Sequence, residues 1–597
     1  MIKIKQNIPA RVCRRKVRVN MDYRTEYRKW LSSAVLSQSE HLELEAIAND
    51  EKEQESRFFA PLSFGTAGLR GVLGMGLNRM NIYTVRQATQ GIAELVVSCG
   101  EEAMARGVAV CHDCRIMSPE FAREVASVLA GNGIAVHIFD AMRPTPELSF
   151  AIRALHCIAG INITASHNPK EYNGYKVYWE DGAQLPPKEA DIAAQAIAAT
   201  DIFTGAKHMD FDEGLARGLI RWMGEEMDEA FLREARAMAI NPACVEAVAD
   251  SFKLVYTPFH GTGYQLVPEI LRRLGYRHIL CVPEQMVPDG AFPTVKSPNP
   301  EDKAGFALAI ELAQKNDVDL IIGTDPDADR VGIVLKNSAG EYVTLSGNQV
   351  GVLLADYIIG AHRRAGTLPK NAAIIKTIVT TEMARRVAEQ NGVKCFETFT
   401  GFKFMAEKIK QFEEEGSYRY LLAYEESYGY LMGDYARDKD AVTASMLIAE
   451  MAAYYRTQGM TLYDAMQKLY ETYGYYSERT ISLVMPGVDG LKDMARLMKT
   501  LREAPPQDIA GTPVSRVRDY ADGTVRSQDG TVEKMELSGS NVLYFELQDG
   551  SVFIVRPSGT EPKIKIYLMA SGKDAAQAAA KIERYTAAAD ALRSLAK

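Results

Sequence analysis

The stretch Val318-Asp319-Leu320-Ile321-Ile322-Gly323-Thr324-Asp325-Pro326-Asp327-Ala328-Asp329-Arg330 joins an apolar run to a loop with three carboxylates at alternate positions. The run 318–322 is short and apolar and reads as a buried strand. In α/β sheets ligands sit beyond the carboxyl ends of strands, so a loop that follows such a strand is where chemistry is expected. In an extended loop alternate residues point the same way, so Asp325, Asp327 and Asp329 converge, and oxygen donors of this kind suit Mg²⁺. An EF-hand is excluded, because its sixth position would be Arg330 and its twelfth Lys336, where glycine and glutamate belong.

The flanking sequence sets this loop in a rhythm of strands and helices. Strands at 253–256 and 278–282 alternate with helices at 264–274 and 304–315. The same alternation runs earlier, with strands at 107–111, 136–139 and 158–164 and helices at 119–129, opened by the N-cap candidate Ser118, and 146–155. It returns later, with helices at 349–357, 382–389 and 404–412 and strands at 373–378, 394–397 and 420–423. Strands alternating with helices predict mostly parallel sheets covered by helices. After about Tyr475 the pattern changes: runs 542–547 and 552–555 flank Asp549-Gly550, which supplies the positive φ angles of a hairpin turn. A strand at 564–568 and an Ala-rich helix at 575–595 close the chain.

The fold class is therefore α/β, with three consecutive α/β domains of mixed, mostly parallel sheets and a smaller C-terminal α+β domain. The expected domains span 21–230, 231–345, 346–475 and 476–597, and 597 residues at about 150 per domain accommodate four.

Composition narrows the function. With 47% hydrophobic and 24% charged residues the chain has ordinary globular usage. A net charge of −8 gives no overall basic field for nucleic acid. No apolar run approaches the roughly 18 residues of a membrane span, and the richest, 444–455, is broken by Glu450. Eight scattered cysteines without a signal peptide point to reduced thiols in a cytoplasm. Cys111-His112-Asp113-Cys114 lacks a second ligand pair for zinc and reads as two structural thiols. Asn162-Ile163-Thr164 matches the glycosylation triplet but reads as part of a strand. Residues 1–20 hold seven Lys or Arg and no acid, a basic arm expected to be disordered or to precede a start at Met21. A helical pattern opens there with Tyr23, Tyr27, Trp30 and Leu31. Without those seven cations the net charge becomes −15, so any field that attracts an anionic substrate is local.

Three further loops carry chemistry. Thr164-Ala165-Ser166-His167-Asn168-Pro169, continuing through Asn173-Gly174-Tyr175-Lys176, offers a hydroxyl at a strand end as a nucleophile or phosphoryl carrier, with Lys176 able to donate or accept a proton. Tyr424-Glu425-Glu426-Ser427 offers a carboxylate and a hydroxyl suited to two sugar hydroxyls. Arg556-Pro557-Ser558-Gly559-Thr560 combines arginine, hydroxyls and open backbone into a phosphate cradle. Each of the three, alone, also fits an ordinary turn. Arg556–Thr560 is no Walker loop, since no Gly-Lys-Ser/Thr ending follows, and Gly74-Met75-Gly76 fails the dinucleotide fingerprint at Arg79.

Taken together and in this order, the serine loop, Asp-x-Asp-x-Asp, Glu-x-Ser and Arg-x-Ser-Gly-Thr make the chain resemble the α-D-phosphohexomutase family of phosphoglucomutases and phosphomannomutases, from about Tyr23 onward. Phe64-Gly65-Thr66-Ala67-Gly68-Leu69-Arg70-Gly71 matches the family's N-terminal loop, and Pro288-Asp289-Gly290 with Pro298-Asn299-Pro300-Glu301 matches its second domain. The resemblance implies four domains around a central cleft and one Mg²⁺ held by Asp325, Asp327, Asp329 and a phosphoryl oxygen on Ser166. It implies Lys176 as general acid/base, with Arg70, His167 and Arg330 as electrostatic support. Thr400, Gly401 and Lys403 match the sugar-specificity loop, Glu425 and Ser427 the sugar grip, and Arg556, Ser558, Gly559 and Thr560 the phosphate site.

The implied reaction interconverts α-D-glucose 1-phosphate and glucose 6-phosphate, with glucose 1,6-bisphosphate as intermediate and activator. Phe402-Lys403 looks like the glucose-type enzymes, whereas Tyr424–Tyr430 and Arg437-Asp438-Lys439-Asp440 look like the longer subgroup that includes phosphopentomutases. A pentose phosphate is the alternative substrate, then a mannose phosphate, and a non-catalytic phosphosugar-binding relative is the rival from another class. The expected partner is a small phosphosugar, with no nucleic acid and no membrane, in a cytoplasmic monomer or weak dimer.

Overall fold

Run 318–322 lies largely within the strand Leu320–Thr324, all five of whose residues are buried. It is wedged between the parallel strand Lys253–Thr257 and the antiparallel strand Val331–Lys336, and burial on both faces explains its unbroken apolar character. The computed structural model describes residues 22–66, 68–485, 490–558 and 563–595, so the basic arm 1–20 lies outside the described residues. The chain divides into two compact units. The first takes the described residues of Met1–Leu335 with Tyr342–Thr344 and Gly429–Ala453. The second takes those of Lys336–Glu341, Leu345–Tyr428 and Tyr454–Lys597.

The first unit holds two sheets. One runs in the order Leu69–Val72, Tyr172–Trp179, Ala159–Ile163, Val108–His112, Val136–Phe139, Ile220–Met223. Its last four strands are parallel, and its first two are antiparallel additions. Helices Ile82–Ser98 and Ser118–Gly131 cover it, burying Val85, Ile92, Phe121 and Val125 against Val110 and Ile161. The second sheet contains Leu320–Thr324 and its neighbours. Ahead of the first sheet, helices Tyr23–Leu31, Gln38–Glu45 and Glu51–Phe58 fold around Trp30, whose ring meets Phe58, Tyr83 and Phe203 edge-on.

Two expectations are corrected here. The segment 172–176 is strand, not loop. Its Asn173-Gly174 pair carries a turn signal, but pairing on both edges, to Leu69–Val72 and to Ala159–Ile163, overrides it. Lys176 therefore stands on a strand, opposite Asn162. Ser118 does not cap its helix; Met117, at φ 68°, holds that position, and the Ser118 hydroxyl donates to Asp113 instead.

In the second unit Ala372–Thr377 lies between two parallel neighbours, Lys394–Thr398 and Arg419–Tyr424. An antiparallel eight-stranded sheet follows. It includes the hairpin signalled by Asp549-Gly550, with Leu543–Leu547 paired to Val552–Pro557. Tyr475–Val484, unread in the sequence, pairs along its whole length with Lys563–Gly572. Only Leu483 of its ten residues is buried, so no apolar alternation announces it. Helix Ala575–Leu595 covers the sheet, burying Ile582 and Tyr585 with Ile566 and Leu568.

Gly174 is required by close approach. A Cβ there would fall 2.5 Å from the Thr164 carbonyl oxygen and 3.0 Å from that of Leu69. Gly174→Ala is expected to destabilise the protein by about 1–3 kcal/mol, as overpacking does elsewhere. Gly65→Ala, where a Cβ meets nothing within 4 Å, is the control, and thermal denaturation of the two variants checks the contrast.

Candidate active site

The strand Ala159–Ile163 ends three residues before Ser166, which sits at φ 52°, in the left-handed region that a non-glycine residue occupies only when its surroundings impose it. Its amide donates to Thr164 Oγ1 at 2.9 Å. Its Oγ donates to Asp325 Oδ2 at 2.8 Å and lies 3.1 Å from His167 Nδ1. Two loops from two different sheets thus meet at one hydroxyl.

The three aspartates converge as expected, but for a different reason. Their loop is a turn and not extended, with Ala328 at φ 48°. Asp325 Oδ1 accepts the amides of Asp329 and Arg330 and curls the loop onto itself. One oxygen from each carboxylate lies within 4.8 Å of the others. Burial and the neighbouring Asp327 and Asp329 charges push Asp325 well above the usual carboxylate range. Burial opposes ionisation of Asp327 too, but the Lys176 ammonium, 2.6 Å from Oδ2, holds it below that range. Against burial and the Asp327 charge, Lys439 and Lys176 hold Asp329 below it.

Asp327 Oδ1 and Asp329 Oδ1 are buried and make no hydrogen bond. Orphaned carboxylate oxygens at the convergence of three buried acids are what a divalent cation with oxygen ligands requires, so these residues fit Mg²⁺.

Several supporting residues went unread in the sequence. Thr145 donates from Oγ1 to Asp327 Oδ2 at 2.9 Å and from its amide to the Asp327 carbonyl, and Asn162 Nδ2 in turn donates to Thr145 Oγ1. Lys439 lies 3.3 Å from Asp329 Oδ2 and 2.7 Å from Asp438 Oδ1, whose other oxygen accepts from the Tyr178 hydroxyl. In the sequence Arg437-Asp438-Lys439-Asp440 reads only as a subgroup marker; four charges in a row ahead of the helix Ala441–Thr457 are the available signal. Of the expected electrostatic supports, Arg70 donates to Asn168 Oδ1 at 3.0 Å and Arg330 to Glu301 at 2.9 Å. Loss of solvation and the Arg330 and Arg70 charges hold His167 well below the usual imidazole range.

The second unit carries the other set. Glu425 follows the strand Arg419–Tyr424, and its Oε1 accepts the Gly401 amide at 2.9 Å, which brings the Thr400-Gly401 loop to it. Thr400, next to Gly401, and Ser427, two residues after Glu425, are half-buried. Lys403, in the first turn of helix Phe402–Glu415, lies 4.8 Å from the centre of the Phe404 ring. Arg556 reaches the Tyr567 hydroxyl at 3.5 Å, and Tyr567 also feels the Glu426 and Glu425 charges, so the arginine lies in the neighbourhood of these two glutamates. The Ser558 amide donates to the Lys563 carbonyl. Gly559 and Thr560 lie outside the described residues.

Comparison with known proteins matches the chain to one family over most of its length. Four family models match in order: phosphoglucomutase/phosphomannomutase alpha/beta/alpha domain I over residues 61–202, domain II over 230–340, domain III over 346–473, and the C-terminal domain over 512–584. A phosphoglucomutase from Staphylococcus saprophyticus is 38% identical over 521 residues, covering 87% of this chain and 92% of that one. A phosphoglucomutase from Staphylococcus aureus strain N315 is 36% identical over 535 residues, covering 89% and 93%. Among solved structures, the phosphoprotein pp63/parafusin of Paramecium, a phosphoglucomutase in an open form, shares the fold with a TM-score of 0.66 at 19% identity, covering 90% of this chain and 96% of that one.

Lys439 is a buried counter-ion to two carboxylates, so Lys439→Met is expected to lower stability by roughly 3–5 kcal/mol, the range for breaking a buried ion pair. Asp438→Asn combined with Lys439→Met is expected to cost less than the sum of the single changes, which a double-mutant cycle in urea measures.

Proposed function

The chain belongs to the phosphoglucomutase/phosphomannomutase family of enzymes, and from that premise we propose that it interconverts α-D-glucose 1-phosphate and glucose 6-phosphate, with Ser166 as phosphoryl carrier. The observation that carries this reading is the buried Ser166 hydroxyl, in a left-handed backbone, 2.8 Å from Asp325 within a triad that retains orphaned carboxylate oxygens.

In this reading Asp325, Asp327 and Asp329, together with a phosphoryl oxygen on Ser166, would hold one Mg²⁺. When bound it offsets negative charge on the transferring phosphoryl group. The residues themselves mainly position donor and acceptor. The Ser166 Oγ–P bond breaks as a bond forms from phosphorus to the free sugar hydroxyl, giving glucose 1,6-bisphosphate. The other phosphate of that intermediate then returns to Ser166. Lys176 exchanges the proton at Nζ, and burial notwithstanding, Asp327 and Asp329 raise its affinity for that proton. Arg70, His167 and Arg330 line the phosphoryl group. Glu425, Ser427, Thr400, Gly401 and Lys403 grip the sugar, and Arg556, Ser558, Gly559 and Thr560 hold the phosphate that is not reacting.

Glucose is favoured over pentose or mannose by the curated relatives, which are named phosphoglucomutases, and by Phe402-Lys403. A cytoplasmic setting accords with the described cysteines, none of which is joined in a disulfide. Among the described residues no helix is long and apolar enough to cross a membrane.

Ser166→Ala is expected to lower kcat by at least about 10³-fold, the scale for losing a covalent nucleophile, and to remove the phosphoryl mass seen in intact-mass spectrometry. Chelation with EDTA should abolish turnover and added Mg²⁺ restore it. A higher kcat/KM for ribose 1-phosphate than for glucose 1-phosphate would replace glucose with a pentose as the substrate.

A further inference from the structure

The Ser166 loop is tied from behind by one side chain that the reaction scheme does not use. Arg115 is 1% exposed. Its Nη2 donates to the carbonyl oxygens of Ser166 at 2.6 Å and Asn168 at 2.5 Å, and its Nη1 to those of Pro169 at 2.9 Å and Tyr172 at 3.0 Å. Four carbonyls within seven residues turn toward one guanidinium. Carbonyl dipoles aimed at a common point repel one another, and a planar cation with fixed, forked donors satisfies them together.

The guanidinium is itself held in place. Asp113 Oδ2 lies 3.3 Å from Nε, and Asp113 Oδ1 accepts both the Arg115 amide and the Ser118 hydroxyl. The Phe292 ring covers it, with its centre 5.1 Å from Cζ. Asn173 Nδ2 donates to Ser118 Oγ and to the Ile116 carbonyl, joining the same turn to the strand that carries Lys176 and pairs with the strand of Arg70. One buried group therefore stands behind Ser166 and its neighbours in the site.

We propose that Arg115 is a positioning residue for phosphoryl transfer, acting through the four loop carbonyls to hold Ser166 against Asp325. The proposal rests on the reading of Ser166 as phosphoryl carrier. Without the fork the loop carbonyls lose their common partner, and Ser166 is free to leave its left-handed conformation. A shift of about 1 Å in a reacting group costs on the order of 100-fold in rate.

The test uses full-length protein carrying Arg115→Lys, which keeps the charge and loses the fork, with Val125→Ala in the core of the same sheet as a control for stability alone. Glucose 1-phosphate turnover, thermal denaturation and the ³¹P NMR resonance of the Ser166 phosphate are measured. Arg115→Lys is expected to lower kcat about 100-fold with KM within about threefold of wild type, and to shift or broaden the resonance. Val125→Ala is expected to lose stability while keeping kcat and the resonance. An Arg115→Lys protein with wild-type kcat and resonance, or one that loses activity only in step with its folded fraction, overturns the positioning role. If Arg115→Lys does not fold, Phe292→Leu, which removes the ring that seats the guanidinium and so loosens its four bonds to the loop, carries the test. A fall in kcat of about threefold with a moved resonance supports the role, and no change overturns it. Absence of a phosphoserine resonance in the wild-type protein would instead overturn the reading of Ser166 itself.

Discussion

Three carboxylates buried within 4.8 Å of one another are the constraint around which the first unit is built. Burying a single unpaired charge is costly, and burying three of one sign at one point is sustainable only if counter-charges and donors arrive with them. They come from four separate places: the backbone amides of Asp329 and Arg330, the hydroxyl of Thr145, the ammonium of Lys176 and the ammonium of Lys439. Each of these elements is thereby pinned to the metal loop. The groups that suit the chemistry are also the groups that let the fold close over its own acids, so stability and function cannot be separated at this point.

The parts of this arrangement written in contiguous residues were legible in the sequence. Leu320–Thr324 announces itself by apolar continuity, and Asp325, Asp327 and Asp329 by spacing, even though the loop that carries them curls instead of extending. The serine loop and Glu425 were found because they follow strands. Thr145 was not legible, because its bond to Asp327 spans 182 positions and nothing local distinguishes it from an ordinary helix start. Lys439 reaches Asp329 across 110 positions, and a single sequence carries no trace of such pairing. Tyr172–Trp179 failed for another reason: its Asn-Gly pair is a genuine turn signal, overruled by two neighbouring strands that the local sequence cannot report.

The motif Glu425-Glu426-Ser427 shows how far a spacing argument reaches. Its two glutamates face different environments. Glu425 Oε1 accepts the Gly401 amide. Glu426 accepts from Thr377 Oγ1 and Thr380 Oγ1, and burial together with the Glu425 charge raises its pKa. One glutamate is held by two threonine hydroxyls and the other by a backbone amide. The sequence offers two identical side chains in a row, and only the hydrogen-bond partners separate them.

The charge balance follows from the same logic. A chain of net charge −8 has no global attraction for a phosphosugar, so the attraction has to be built from a few cations whose charge is not consumed by the fold. Lys176 and Lys439 are largely committed to the aspartates. Arg70 differs: it is exposed, and it donates to the neutral oxygen Asn168 Oδ1. Asn168 is also one of the residues whose carbonyl is bound by Arg115. An exposed arginine is thus oriented by the side chain of a residue whose backbone a second, buried arginine binds. That division of labour, one arginine buried against the loop backbone and one exposed beside it, lets a negatively charged protein present a positive point next to Ser166.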